Sequence, residues 1–283
     1  MAKKPLADHS ERMYGICHLN VVPMADKPNG VGMMISQLLF GEIFTVIYKK
    51  SKYWIKIQSS HCSIPGWVQT NQIRLLTEKE YLKLAAISPK SLEISHPVFN
   101  EDLVKNIVLG SSLPGFDGIS LVMPDGKYIF NGQATNPDGL DATADLVVKV
   151  ARRYLHTPEL PGGRSPYGID SGALIQLIFG FFHIDLPRFP SEQCRYGEDV
   201  DFMDYVKEGD VAFCESKEGY ITHAGIITGH KKVLHVYGCV RIDHIDHFGI
   251  FNADIRKYTH RLRIVKRFIS EDELAVTQNI NPD

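Results

Sequence analysis

The stretch that decides the fold reads Tyr154-Leu-His-Thr-Pro-Glu-Leu-Pro-Gly-Gly-Arg-Ser-Pro-Tyr-Gly-Ile-Asp-Ser-Gly-Ala-Leu-Ile-Gln176. Its middle, Pro158 to Gly168, is rich in glycine and proline and reads as a loop. At Asp170-Ser171 the character changes to a strongly apolar run that reaches Phe182. Asp and Ser are good N-cap types, because their side-chain oxygens accept a backbone N–H that the first helical turn leaves unpaired. The run therefore reads as a buried helix, with Phe179, Phe181 and Phe182 in the core. A hydroxyl, that of Ser171, then stands at a helix start, where N–H donors and positive potential favour negative charge.

C-terminal to this helix the chain turns to strands. Asp210-Val-Ala-Phe-Cys214, His223-Ala-Gly-Ile-Ile-Thr228, Lys232-Val-Leu-His-Val-Tyr237 and Arg261-Leu-Arg-Ile-Val-Lys-Arg267 are β-branched and aromatic runs. His223 opens one of them and His235 lies on the next, with Thr228-Gly-His-Lys231 as the turn between. Antiparallel pairing sets the two histidines side by side, and the start of the apolar helix would face that sheet edge. The arrangement suits nucleophilic acyl transfer: one histidine takes the nucleophile's proton, a second polar group orients it, and helix N–H groups receive the developing charge. Spacing alone leaves the bland reading open, since the chain holds 12 histidines and some fall near strands by chance. Cys214, His223, His235 and Cys239 lack the short paired steps of a zinc site, so buried structural cysteines are expected and no metal or other cofactor is.

N-terminal to the decisive stretch, residues 144–155 carry apolar side chains at helical spacing (Leu146, Val147, Val150, Ala151, Leu155). Residues 13–76 look all-β, with Gly41–Tyr48, Tyr53–Gln58 and Gly66–Val68 as short strands. Around Tyr53 the alternation sets Tyr53, Ile55 and Ile57 against Trp54, Lys56 and Gln58, one buried face and one open. Strands at this spacing predict a small barrel. Residues 77–87 read as a connector helix, with Thr77 and Glu80 in a capping-box pattern. Residues 88–140 return to short β runs broken by Gly- and Pro-rich turns, and a second small barrel is expected there. The last domain is a helix–helix–sheet unit, so the fold class is α+β.

Composition sets the outer limits. A chain of 283 residues holds two or three domains at roughly 100–200 residues each. Hydrophobic residues at 44% and charged residues at 23% are ordinary globular values, which speaks against intrinsic disorder. A net charge of -2 offers no basic footprint for nucleic acid. No apolar run reaches a membrane span. Lys3 and Lys4 are not followed by the apolar stretch of a signal peptide, so a cytoplasmic location is expected. Five cysteines without a CxxC do not read as a disulfide framework and suit a reducing compartment. Nothing in the sequence sets an oligomeric state.

Several motifs then fall in a familiar order. The stretch at 154–176 resembles the nucleophile signature of NlpC/P60 cysteine peptidases. Leu186-Pro-Arg188 with Gln193, Glu208-Gly-Asp210 with Val211 and Phe213, His223-Ala-Gly-Ile226, Leu234-His235 with Val240-Arg241-Ile242, and Asp246–Tyr258 are similar to that family's later segments. The resemblance covers residues 140–268. Gln37-Leu-Leu-Phe-Gly-Glu42, Trp54 and Gly66-Trp-Val68 resemble bacterial SH3 domains, and two of these ahead of NlpC/P60 resemble the dipeptidyl-peptidase VI (YkfC-like) branch. The resemblance implies a papain-like domain at 141–270 behind SH3-like barrels at 13–76 and 88–140, joined by a linker helix at 77–87, with a tail at 271–283. It implies a thiol-type endopeptidase that cuts the γ-D-glutamyl–diamino acid bond of peptidoglycan peptides such as L-Ala-γ-D-Glu-diaminopimelate, in cell-wall turnover or recycling. Residue 171 would attack, His223 would be the base and His235 would orient it. Asp170, Glu159, Gly172 and Ser191 would contact substrate, Asp170 through the peptide's free amine, and the SH3 domain would wall off one end of the site.

The sequence departs from the family pattern in three places. Glu159 and Pro161 stand where the family's loop has tyrosine and tryptophan. Gly172-Ala173 replaces serine-glycine. Above all, the family nucleophile is cysteine and position 171 is serine. A thiol of pKa about 8.5 ionises readily at a helix N-terminus beside an imidazolium, whereas an alcohol stays close to water, about 15.7. The gap of roughly seven units is about 10 kcal/mol. Three readings of Ser171 follow: a replaced cysteine, a non-cleaving relative that still binds peptides, and a serine that itself attacks. An SH3-based adaptor with the last domain as scaffold is a further, non-enzymatic reading.

Overall fold

The computed structural model describes residues 12–86, 88–136, 141–201 and 203–269. The tail expected at 271–283 lies outside the described residues, as do Ile87 at the end of the expected connector and residues 137–140 at the end of the second β unit.

The first unit is a seven-stranded antiparallel sheet of β1 (Tyr14–Ile16), β2 (Val21–Ala25), β3 (Met34–Leu39), β4 (Ile43–Lys49), β5 (Trp54–Ser59), β6 (Gly66–Gln69) and β7 (Arg74–Leu76). Its order is β3-β2-β6-β5-β4-β1-β7. The period-2 alternation holds within β5, where Ile55 and Ile57 are buried and Trp54, Lys56 and Gln58 are half-covered, but Tyr53, grouped with the buried face, precedes the strand and is exposed. These isoleucines close a core with Val22, Met24, Leu38 and Phe44. Helix α1 (Glu78–Leu84) follows. Its capping box is formed: Thr77 Oγ1 accepts the Glu80 N–H and the Glu80 carboxylate accepts the Thr77 N–H. It ends three residues before the expected boundary.

Where a second barrel is expected, β8 (Ser95–Phe99), β9 (Val104–Val108), β10 (Ser120–Met123) and β11 (Gly126–Ile129) form a four-stranded antiparallel sheet in the order β10-β11-β8-β9. It does not bury a core by itself. Val98, Ile107, Leu121 and Tyr128 pack into one cluster with Tyr14, Phe40 and Leu84 of the preceding elements.

The third unit holds α2 (Ala144–Arg152), the short hairpin β12 (Arg164–Ser165) and β13 (Gly168–Ile169), α3 (Ser171–Gly180), α4 (Pro190–Gln193), and strands β14 (Glu198–Asp199), β15 (Val211–Glu215), β16 (Ile221–Gly229), β17 (Lys232–Tyr237), β18 (Cys239–Asp246), β19 (Gly249–Asn252) and β20 (Lys257–Arg267). The sheet runs β14-β20-β15-β16-β17-β18-β19, and β19 also pairs with β20, so six of its strands close on themselves. Helices α2 and α3 pack on it through one core that includes Val147, Leu174, Ile178, Phe179, Ala224 and Ile226. Phe181 and Phe182 belong to the same core. The sequence reading ended α2 at Leu155, missed β18 and β19 as full strands, and took the β12–β13 hairpin for plain loop. All five cysteines are free. Among the described residues no helix is long and apolar enough to cross a membrane.

Candidate active site

Ser171 is the first residue of α3, as its N-cap signal predicts. Asp170 is the N-cap, and its Oδ1 accepts the Ala173 N–H at 2.9 Å. The N–H groups of Ser171 and Gly172 have no acceptor among the described residues, which leaves two donors at the positive end of the helix. Ser171 is 7% exposed. Among the described residues its hydroxyl has no hydrogen-bond partner.

Helix α3 packs along β16 and β17, which carry His223 and His235. His223 Nε2 lies 3.0 Å from His235 Nδ1, and His235 Nε2 lies 3.1 Å from Asp243 Oδ2. The backbone partner of His235 is Gly225, two residues along β16 from His223. The two rings therefore meet diagonally, over a position without a side chain. A Cβ on Gly225 would come within 2.9 Å of His235 Cβ and 2.6 Å of Val233 Cγ2. Asp243 is fixed in turn by Arg241, whose Nε stands 2.9 Å from Oδ2, and by Asn252 Nδ2 at 3.4 Å.

Burial is the main force on these groups. It pushes the His223 pKa well below its usual value, and the neighbouring His260 and His235 add to that shift. Burial would raise Asp243, but the hydrogen bonds from His235 and Arg241 outweigh it and hold the carboxyl low. The result is a neutral His223 whose Nε2 is tied to a His235–Asp243 pair and whose Nδ1 has no partner among the described residues. That is a general base oriented from behind.

His260, on β20, was not anticipated from sequence. Its ring stacks on His223 at 3.8 Å between centroids, 21° from parallel. Its own pKa falls to about 4, through burial and His235. Together His223, His235 and His260 bring one ring nitrogen each within 4.8 Å of the others. The direct His223–His235 bond and the near-parallel stack spend or misdirect those lone pairs, so the trio makes a poor converging metal ligand set. The hydrogen-bonded chain runs His223–His235–Asp243, and His260 packs on it by ring contact, its Nδ1 paired with Thr259 Oγ1. Cys214 and Cys239, weighed for zinc from sequence, are not in that cluster.

The remaining predicted contacts are partly spoken for. Both oxygens of Asp170 face Arg188, at 2.8 and 2.5 Å, and Oδ2 also accepts the Gly162 N–H at 2.9 Å. Arg188 is 1% exposed, so this carboxylate is neutralised from the protein side. Glu159 accepts the Gly238 N–H at 2.7 Å and thereby ties its loop to the β17–β18 turn. Gly172 has no room for a side chain, since a Cβ would lie 2.6 Å from the Arg188 carbonyl and 2.8 Å from Pro190 Cδ. Gln193 Nε2 donates to the Gly172 carbonyl at 2.8 Å, which fastens α4 to the start of α3. Ser191 is exposed on α4, with its hydroxyl unbonded among the described residues.

The first unit reaches into this region. Arg164, 2% exposed, forms a bidentate pair with Glu42 at 3.0 and 3.1 Å. Its N–H donates to Gln37 Oε1 at 2.7 Å, and its guanidinium to the Gln37 carbonyl at 2.6 Å. Gly162 packs so tightly on the Met34 carbonyl that a side chain would collide, and its φ of +79° suits glycine. The hairpin that leads into α3 is thus clamped by β3 and the β3–β4 turn. Burial alone would raise the Glu42 carboxyl, but Arg164 and His61 lower it to about 2.

Comparison with known proteins bears on the same residues. Residues 158–256 match the NlpC/P60 family, and residues 24–73 match the bacterial dipeptidyl-peptidase SH3 domain. A γ-D-glutamyl-L-lysine dipeptidyl-peptidase of Bacillus cereus is 26% identical over 230 residues, 71% of this chain and 66% of that protein, just under two thirds of its length. The Bacillus subtilis protein of the same name is 25% identical over 246 residues, 80% of this chain and 76% of that protein. A crystal structure of an NlpC/P60 family protein from Bacillus cereus superposes with a TM-score of 0.77 at 17% identity, covering 91% of this chain and 100% of the other, a likeness of fold.

Proposed function

From a chain that carries an NlpC/P60 domain behind a bacterial dipeptidyl-peptidase SH3 domain, we propose a peptidase site for peptidoglycan-derived peptides, directed at the bond between γ-D-glutamate and a diamino acid. The observation that carries this reading is the chain of bonds His223–His235–Asp243, begun on the two strands against which α3 packs, together with the free N–H groups at the start of α3. The peptide carbonyl sits over the start of α3, with its oxygen toward the N–H groups of Ser171 and Gly172. Residue 171 attacks, His223 Nδ1 takes its proton, and His235 with Asp243 holds the imidazole and stabilises the charge it gains. His223 then gives the proton to the leaving amine, and water releases the acyl group by the reverse sequence. Five free cysteines fit a reducing compartment, which favours turnover of fragments inside the cell. We read the four-stranded unit as a second, reduced SH3-like module that leans on the first.

Serine at 171 weakens this chemistry, because an alcohol must be deprotonated during attack while a thiol ionises beforehand. One observation favours a second reading, binding without cleavage: Ser171 has no hydrogen bond to His223. The test is to incubate L-Ala-γ-D-Glu-L-Lys and its diaminopimelate counterpart with the chain and with Ser171→Cys, following release of the diamino acid. Cleavage by the Cys form that is lost again on His223→Ala supports the site. A folded Ser171→Cys protein that binds the peptide and cleaves neither substrate sinks the peptidase reading and leaves a peptide-binding domain.

A further inference from the structure

A second concave surface adjoins the relay. It is a cavity of about 680 Å³ between the end of β15 and the β18–β20 region, lined by Glu215, Lys217, Phe248, Tyr258, His260 and Arg261 among others. Its volume lies in the ~300–1,000 Å³ range of small-molecule sites. His260 is its link to the chemistry, because this lining residue stacks its ring on His223 at 3.8 Å between centroids. The cavity and the proposed base therefore share one neighbour, His260.

Position decides which half of a substrate belongs there. A base that later protonates the leaving nitrogen must lie on the leaving-group side of the scissile bond. The acyl half lies toward the start of α3 and the clamped hairpin. The face of His223 turned to His260, and past it to this cavity, is the direction we assign to whatever follows the scissile bond.

The lining then says what that group is. Glu215 has a side chain only 9% exposed, yet its two ion-pair contacts are loose, to Arg261 at 3.3 Å and Arg263 at 3.4 Å, both largely in solvent. A carboxylate can accept about four hydrogen bonds, and pairs with exposed arginines hold it weakly. Phe248 and Tyr258, 5.9 Å apart, offer an apolar wall for a methylene stem. Lys217 and Arg261 add positive charge at the same cavity. One anion flanked by aromatic rings and cations matches a residue with an aliphatic stem, an ammonium at its tip and a carboxylate at its root.

We propose that this cavity is the leaving-group subsite, and that Glu215 receives the side-chain ammonium of the diamino acid while Arg261 and Lys217 face its carboxylate. The inference rests on the peptidase reading above and deepens it. It makes Glu215 a specificity residue that takes no part in proton transfer.

The test compares binding of three peptides to the native chain by calorimetry: L-Ala-γ-D-Glu-L-Lys, the same peptide with norleucine in place of lysine, and the dipeptide L-Ala-γ-D-Glu. Norleucine keeps the stem and lacks the ammonium. The expected result is at least tenfold tighter binding of the lysine peptide than of the norleucine peptide, with that preference lost in Glu215→Gln and norleucine binding unchanged. Equal binding of all three peptides overturns the subsite while leaving the acyl-side reading in place, as does a lysine preference that survives Glu215→Gln. Failure of the native chain to bind any of them overturns the peptidase reading itself, and the subsite with it. The lysine-to-norleucine ratio in the native chain needs no variant, so a misfolded substitution does not mask the outcome.

Discussion

Glu42→Gln tests how the first unit holds the active-site hairpin. The side chains of Glu42 and Arg164 are 1% and 2% exposed, and they meet through two hydrogen bonds. The substitution keeps the shape and removes the charge, which leaves a guanidinium buried without its counter-ion. Breaking one side of such a pair costs about 3–5 kcal/mol, a large share of the ~5–15 kcal/mol that holds a folded protein together. The Leu39 N–H, now bonded to Glu42 Oε2 at 2.9 Å, and His61, 3.5 Å from Oε1, lose their charged partner too. At about 2 °C per kcal/mol for a chain of this size, the melting temperature falls by about 6–10 °C. Thermal and urea unfolding of Glu42→Gln, Arg164→Met and the double change Glu42→Leu with Arg164→Met measure it. The double variant should recover most of the loss, because an apolar pair of similar volume often replaces a buried ion pair at little cost. A loss under about 1 kcal/mol in Glu42→Gln, or a double variant as unstable as the singles added together, refutes the clamp, since coupled partners are not additive.

Three other outcomes follow from the same geometry. Acid destabilises the fold steadily: His61 and His260 are held at about 4, so below about 6.5 the unfolded chain binds protons that the folded chain refuses, and Glu42, held at about 2, adds its loss at lower pH. For His61 the shift from 6.5 to about 4 is worth at most about 3 kcal/mol, and urea midpoints that do not fall between pH 7 and pH 4 contradict it. In the Ser171→Cys form, His235→Ala should lower kcat by about 10²–10⁴, the range for acid–base groups; Asp243→Asn should do less, both with KM little changed, and a loss confined to KM counts against the relay. Gly225→Ala should cost about 1–3 kcal/mol by overpacking and should lower kcat by displacing His235; unchanged stability and rate would show that the close approach is not a constraint.

How much of this was legible in the sequence depends on how far apart the partners lie. The start of α3 was readable because a helix N-cap is a local signal: Asp170 and Ser171 stand directly before the apolar run they cap. The pairing of His223 with His235 was readable as well, because one short turn joins their strands. The offset was not, since it is Gly225, and not His223, that faces His235 across the ladder. Asp243, Asn252 and His260 join the cluster only through the registers of β18, β19 and β20, and each register is fixed by pairing that no local pattern states. The alternation of Val240 and Ile242 with Arg241 and Asp243 was the available hint, a carboxylate at regular spacing within an apolar strand. The Arg164–Glu42 pair joins residues on separate units, and the Gly/Pro-rich composition around Arg164 suggested loop instead of a clamped hairpin. The Asp170–Arg188 pair was hidden for a similar reason. The sequence pattern offered Asp170 as a cap, the family resemblance implied a ligand for an amine, and folding returns Arg188 to it from the far end of α3.

The closed sheet of the third unit contributes one polar residue from each of five consecutive strands: His223, His235, Asp243, Asn252 and His260. A slip of one residue in any of those hairpins would turn its contribution to the opposite face. During synthesis the strands emerge in that order, and the ring that stacks on His223 comes last. Until β20 has docked, the nascent chain holds His223, His235, Asp243 and Asn252 but lacks the ring that stacks on His223 and the strand that closes the sheet. Closure of the sheet is thereby deferred to the last strand, and a chain cut before Lys257 would leave both β15 and β19 without the partner that joins them.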